Sequence, residues 1–71
     1  MAKKKSLSNV LRDARLSRGL TLSTVGKAVG VSASAVAHWE SGVNQPSNDN
    51  LSAVCKALKL PVRATREIAA G

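Results

Sequence analysis

The spacing of residues between Val25 and Trp39 constrains this chain more than any other feature. Val25 and Val29 lie one helical turn apart, Gly26 follows the first of them, Gly30 and Val31 follow the second, and Val36 and Trp39 stand three residues apart beyond. This pattern fits two short helices that cross at a steep angle through a three- or four-residue turn. Val25 and Val29 make the inner face of the first helix, Gly26 lets the two backbones approach, and Gly30 supplies the left-handed residue of the turn. Val31 plugs the gap, while Val36 and Trp39 anchor the second helix.

Helices are expected on both sides of this pair. Leu7, Val10, Leu11 and Ala14 recur at helical spacing, with Arg12, Asp13, Arg15 and Ser17 on other faces, up to a stop at Gly19. Thr21 stands where an N-cap belongs, ahead of Leu22 to Val29. Ser32 is the next cap, opening a run from Ala33 to Glu40 that Ser41 and Gly42 end. After a polar loop from Gly42 to Pro46, Ser47 caps a fourth helix with Leu51, Val54, Cys55 and Leu58 on one stripe and Asp49 in its first turn. Pro61 suits the first position of a fifth helix, Pro61 to Ala70, whose apolar face of Val62, Ile68 and Ala69 is thin. No strand-like alternation and no internal repeat appear. The expectation is therefore an all-α fold of five short helices, a single domain over residues 7–71 behind a flexible basic arm at residues 1–6.

Charge narrows the partners. Eleven Lys and Arg against four Asp and Glu give a formal net charge of +7 in 71 residues, which attracts polyanions, nucleic acid first among them. A membrane surface would call for a basic helix with large apolar residues opposite, and the one aromatic residue is Trp39, so no membrane partner is expected. Lys3, Lys4 and Lys5 do not begin a signal peptide, because Ser6 to Arg15 lacks a sustained apolar run. The lone Cys55 can form no intrachain disulfide, which makes the cytoplasm the default location. Catalysis has little to work with: one His, one Cys, four scattered acids and no glycine-rich phosphate loop. Neither an enzyme, a cofactor, a metal site nor a small-molecule ligand is expected, and Cys55 reads as a packed small hydrophobe.

The third helix separates a binding role from a merely structural one. An exposed structural face usually carries Lys and Glu, whereas this one offers Ser34, Ala35, Ala37 and His38, short side chains that allow close contact. A plain helical hairpin, or a bundle that binds an acidic protein, is the alternative. From Val31 to Cys55 there is no Lys or Arg, so charge must act from the arm, from Arg12, Arg15 and Arg18, or from Lys27.

Taken in order, the motifs resemble one family. Leu-Arg-x-Ala-Arg at 11–15, Gly-Leu-Thr at 19–21, Gly-Val-Ser at 30–32, Trp-Glu-Ser-Gly at 39–42, Pro46 and Leu-x-x-Val-x-x-Ala-Leu at 51–58 are similar to the Cro and repressor family of phage regulators, also called the XRE family. The resemblance implies a lambda-repressor-like helix-turn-helix domain that binds a palindromic double-stranded DNA operator as a homodimer, and the short chain resembles the Cro-type members. It places Ser32, Ala33, Ser34, Ala35 and His38 at base edges, where Ser34 and His38 can hydrogen-bond and alanine methyls can pack on thymine. It also places Arg15, Leu22, Ser41, Val43 and Asn44 near the DNA backbone, joined by Lys27 and by Lys3, Lys4 and Lys5 of the arm. The dimer surface implied is the loop after the third helix with the start of the fifth, around Val43, Leu60 and Val62. Two departures stand out: Leu22 occupies a position where the family often has glutamine, and Val43, Asn44 and Gln45 occupy a loop that is often basic. An antitoxin or a restriction-modification control protein of the same family would share these motifs.

If the arm embraces DNA, deleting residues 2–5 weakens binding and flattens its salt dependence, by about 0.9 in the logarithmic slope for each phosphate that is no longer neutralised. Fluorescence anisotropy across a salt series measures this, and an unchanged slope removes the arm from the interface.

Overall fold

A computed structural model describes residues 6–70, with side chains as far as Ile68. Five helices follow one another: α1 Leu7–Ser17, α2 Leu22–Val29, α3 Ala33–Ser41, α4 Asn48–Leu58 and α5 Val62–Ala70. No strand occurs among the described residues. The first four helices start the same way. Ser6, Thr21, Ser32 and Ser47 hold extended backbone, and each side-chain oxygen accepts from the amide three residues on, at 3.3, 3.0, 3.1 and 3.3 Å. Each cap satisfies one of the orphan donors that open a helix. Ser6 therefore belongs to α1 and not to the arm in which its polar neighbours place it; the arm's lysines lie outside the described residues. Likewise α5 begins at Val62 rather than Pro61, whose carbonyl accepts from the Thr65 amide at 3.0 Å.

The core draws on four helices: Leu7 and Leu11 of α1, Val25 of α2, Val36 and Trp39 of α3, and Leu51, Val54, Cys55 and Leu58 of α4. The expected stripe of α4 is thus buried whole, and Cys55 is packed among apolar neighbours with a free thiol. Val29 and Val31 pack against this cluster from the turn between α2 and α3. The fifth helix departs from its expected face. Thr65 is buried between Val62 and Ile68, which both pack on the core, while Ala69 lies outside the described side chains. Residues 62, 65 and 68 are three apart, so a threonine completes the stripe that an apolar-only reading leaves thin.

The turn between α2 and α3 is tight. Gly30 has φ of 91°, and the carbonyl of Gly26 accepts from both Gly30 and Val31, at 2.7 and 2.8 Å. A Cβ on Gly26 would stand 2.6 Å from the Val31 carbonyl oxygen and 3.1 Å from the carbonyl carbon of Ser32. Those are backbone atoms of the turn, so no side-chain rotation relieves the overlap. Gly26→Ala is expected to lower stability by about 2 kcal/mol through enforced overpacking, read as a drop in the midpoint of thermal unfolding. Gly19→Ala, at a φ of 67° with open space around it, should cost about 1 kcal/mol from backbone strain alone.

Candidate nucleic-acid interface

The orientation of α3 follows from what it buries. Val36 and Trp39 enter the core, and Ala35 packs half-buried against it. Helical geometry then turns Ser34, His38 and Ser41 outward, flanked by the half-exposed Ala33 and Ala37. His38 is the longest side chain of the exposed strip. Ser41 donates its hydroxyl to the His38 carbonyl at 3.2 Å, and Gly42, with φ of 80°, ends the helix. Ser32 stands exposed at the other end. Its oxygen accepts from the Ala35 amide, which leaves the hydroxyl proton for an outside acceptor.

The residues expected at base edges therefore divide. Ser32, Ala33, Ser34 and His38 share the outer side of α3 and its start, while Ala35 faces the core. The reason is periodicity: position 35 is one turn before Trp39 and adjacent to Val36, so its methyl falls on the inner arc. Ala37 occupies the outer strip in its place.

The residues expected at the DNA backbone change more. Arg15 is not a free cation. Its Nε donates to Glu40 Oε2 at 2.7 Å, its second guanidinium nitrogen to Glu40 Oε1 at 3.1 Å, and its third to the Leu20 carbonyl at 2.8 Å. The two side chains are only 13% and 8% exposed, so this fork is an internal clamp that ties α1 to α3 and to the turn before α2. Arg18, exposed, makes one such bond, donating through Nε to the Leu58 carbonyl at 2.8 Å. Leu22 is half-buried against the core, which leaves its backbone amide, in the first turn of α2, as the group an anion could meet. Lys27, Ser41 and Asn44 are exposed, and Lys3, Lys4 and Lys5 lie outside the described residues.

Arg12, expected only as one of several sources of charge, lies beside α3. Arg12, Leu22, Ala37, Glu40 and Ser41 line a shallow open depression where α1 and the start of α2 meet the outer side of α3. Arg12 precedes Arg15 by three residues and so shares its side of α1, a signal the sequence carries once α1 is known to lean on α3. The surface expected to pair two copies also changes. Leu60 and Val62 are half-buried against the chain's own core, because α5 has Thr65 to complete its inner face; Val43 alone of the three stands clear, 69% exposed. Leu16, 54% exposed on α1, is a second large apolar side chain in solvent.

Residues 11–64, from α1 into the start of α5, match the helix-turn-helix family. The chain belongs to that family, in its XRE-type branch. The transcriptional regulator ClgR of Mycobacterium tuberculosis is 43% identical over 56 residues, 79% of this chain and 50% of the relative. The chain thus spans about half the length of the curated relatives it matches. Among solved structures, the P22 c2 repressor in complex with a synthetic operator superposes with a TM-score of 0.83 at 29% identity, covering 87% of this chain and 94% of that one. ClgR of Corynebacterium glutamicum, a clp gene regulator, gives 0.79 at 34% identity over 92% of this chain and 69% of the other. These likenesses carry the five-helix, lambda-repressor-like fold read from the motifs.

The clamp between α1 and α3 is open to test. Glu40→Ala strands the largely buried Arg15 guanidinium and is expected to lower stability by about 3 kcal/mol. Adding Arg15→Ala should recover part of that loss, since no charge is then left unpaired; chemical denaturation of both variants measures the coupling.

Proposed function

We propose that this chain is a sequence-selective DNA-binding transcriptional regulator that lays the outer strip of α3 in the major groove. The observation that carries the reading is the furnishing of that strip. Ala33, Ser34, Ala37 and His38 are short and outward, on a helix held from behind by Val36, Trp39 and the Glu40 clamp. Such a face reaches base edges without first folding away long solvated side chains, and its rigid seat keeps the side chains in register with the bases. The family supports the reading, as does the likeness to a repressor solved on its operator.

In finer detail, two copies bind a palindrome with half-sites about one helical turn apart, since one α3 spans only a few base pairs. Val43, in the loop after α3, is the apolar group best exposed to meet a second copy. Ser34 and His38 hydrogen-bond to base edges, and Ala33 and Ala37 offer methyls to thymine. The P22 c2 likeness favours a phage-type repressor, and the ClgR relatives favour a cellular regulator whose DNA-reading part this chain matches. Under either reading the protein works in the cytoplasm, where its DNA is.

Selection from a random duplex pool, followed by anisotropy of the winner against scrambled DNA, tests this. The expected result is a palindrome with half-sites about ten base pairs apart. His38→Ala should weaken the selected duplex about tenfold per half-site, or on the order of 1.4 kcal/mol, while leaving scrambled DNA unaffected. Equal, salt-abolished binding to every duplex would overturn the reading in favour of an acidic protein partner.

A further inference from the structure

We propose that Arg12 anchors a backbone phosphate beside α3. The proposal rests on the DNA-binding reading above and names a residue that contributes to its electrostatic part.

Three observations single out Arg12. First, the chain has no Lys or Arg from Val31 to Cys55, so α3, the loop after it and the first half of α4 bring no cation of their own. Any cation that meets a phosphate flanking the groove that receives α3 must come from another element. Second, the arginines of α1 and its C-cap have different fates. Arg15 is clamped to Glu40 and to the Leu20 carbonyl, the exposed Arg18 gives one bond, through Nε, to the Leu58 carbonyl, and Arg12 is exposed with no side-chain partner among the described residues. Third, Arg12 lines the depression between α1 and the outer strip of α3 together with Leu22 of α2 and Ala37, Glu40 and Ser41 of α3.

The remaining charged group of that depression does not oppose an anion. Glu40 has both carboxylate oxygens engaged by Arg15, so the pair is close to neutral and Arg12 sets the sign of the local field. The floor is otherwise apolar or hydroxylic, from Leu22, Ala37 and Ser41, and lets a phosphate approach without displacing a competing carboxylate. A guanidinium also suits the task geometrically, because its planar fork can donate two bonds to one phosphate. The ion pair beneath thus has a second consequence: by neutralising Glu40 it frees Arg12 for an outside partner.

The test uses the full chain and the duplex enriched from a random pool by the unaltered protein. Arg12→Gln is expected to weaken binding about tenfold and to lower the logarithmic salt slope by about 0.9 for each α3 engaged, while Arg12→Lys keeps most of the slope. Arg63→Gln removes the same charge from the exposed side of α5 and should leave the slope in place. Methylphosphonate substitution, one phosphate at a time, should find a position whose neutralisation weakens the unaltered protein but not Arg12→Gln. Thermal unfolding checks that each variant is folded. An undiminished slope in Arg12→Gln, or an equal fall in Arg63→Gln, overturns the assignment of Arg12 while leaving the regulator reading intact. Failure of the unaltered chain to select any duplex overturns both.

Discussion

At Gly26 the backbone of α2 runs so close to the turn before α3 that the Val31 carbonyl fills the space a Cβ would need. Much of the molecule depends on that approach. It lets one carbonyl, that of Gly26, close the turn through two amides, and it sets Val31 against the core as the chain changes direction. With the turn so short, α3 has little freedom in how it leaves α2. Val36 and Trp39 then meet Val25 and the stripe of α4 in a single cluster. The outward aim of Ser34 and His38 is a consequence of this packing, since a helix that buries one arc must present the other.

A second constraint fixes α3 from the side. The Arg15–Glu40 fork joins residues twenty-five positions apart and reaches the Leu20 carbonyl as well, so one guanidinium ties two helices and a turn. Mostly hidden charges of this kind add modest net stability, because desolvation offsets much of their attraction. Their value here is geometric: the two parallel bonds permit few relative positions of α1 and α3. The fork also decides which charges remain for a partner. A chain with seven net positive charges need not present them evenly, and in this fold Arg15 is withdrawn into the pair with Glu40, Arg18 gives one bond to a carbonyl, and Arg12 and Lys27 face solvent.

Most of the architecture was legible from periodicity and caps. Thr21, Ser32 and Ser47 sit one residue before their helices, and Leu51, Val54, Cys55 and Leu58 form the predicted stripe. Gly26 was readable as a close approach because a glycine inside a short helix, beside two inward valines, has few other reasons to be there. Ser6 was missed because the lysines before it made the segment look uniformly polar, although a serine ahead of Leu7 carries the same signal as the other caps. Thr65 was missed for a related reason. A threonine scores as polar, yet its methyl can fill an inner position at helical spacing from Val62 and Ile68. Leu60 and Val62, which the resemblance placed on a partner surface, also pack partly against the chain's own core beside Thr65.

The sequence by itself determined the helices, the tight turn between the second and third, the face of α4 that is buried and the family, because each depends on residues close together in the chain. Local spacing selects a helix, a cap or a left-handed turn without reference to anything distant. Only the tertiary structure decided which arginines are bound and which are open, and whether Ala35 or Ala37 lies on the outer strip of α3. Those outcomes depend on the rotation of one helix against another and on oxygens contributed from far along the chain, such as those of Glu40 and Leu58. A guanidinium at position 12, 15 or 18 has the same charge and the same helical setting in sequence; what distinguishes the three is the acceptor that folding brings within 3 Å of two of them.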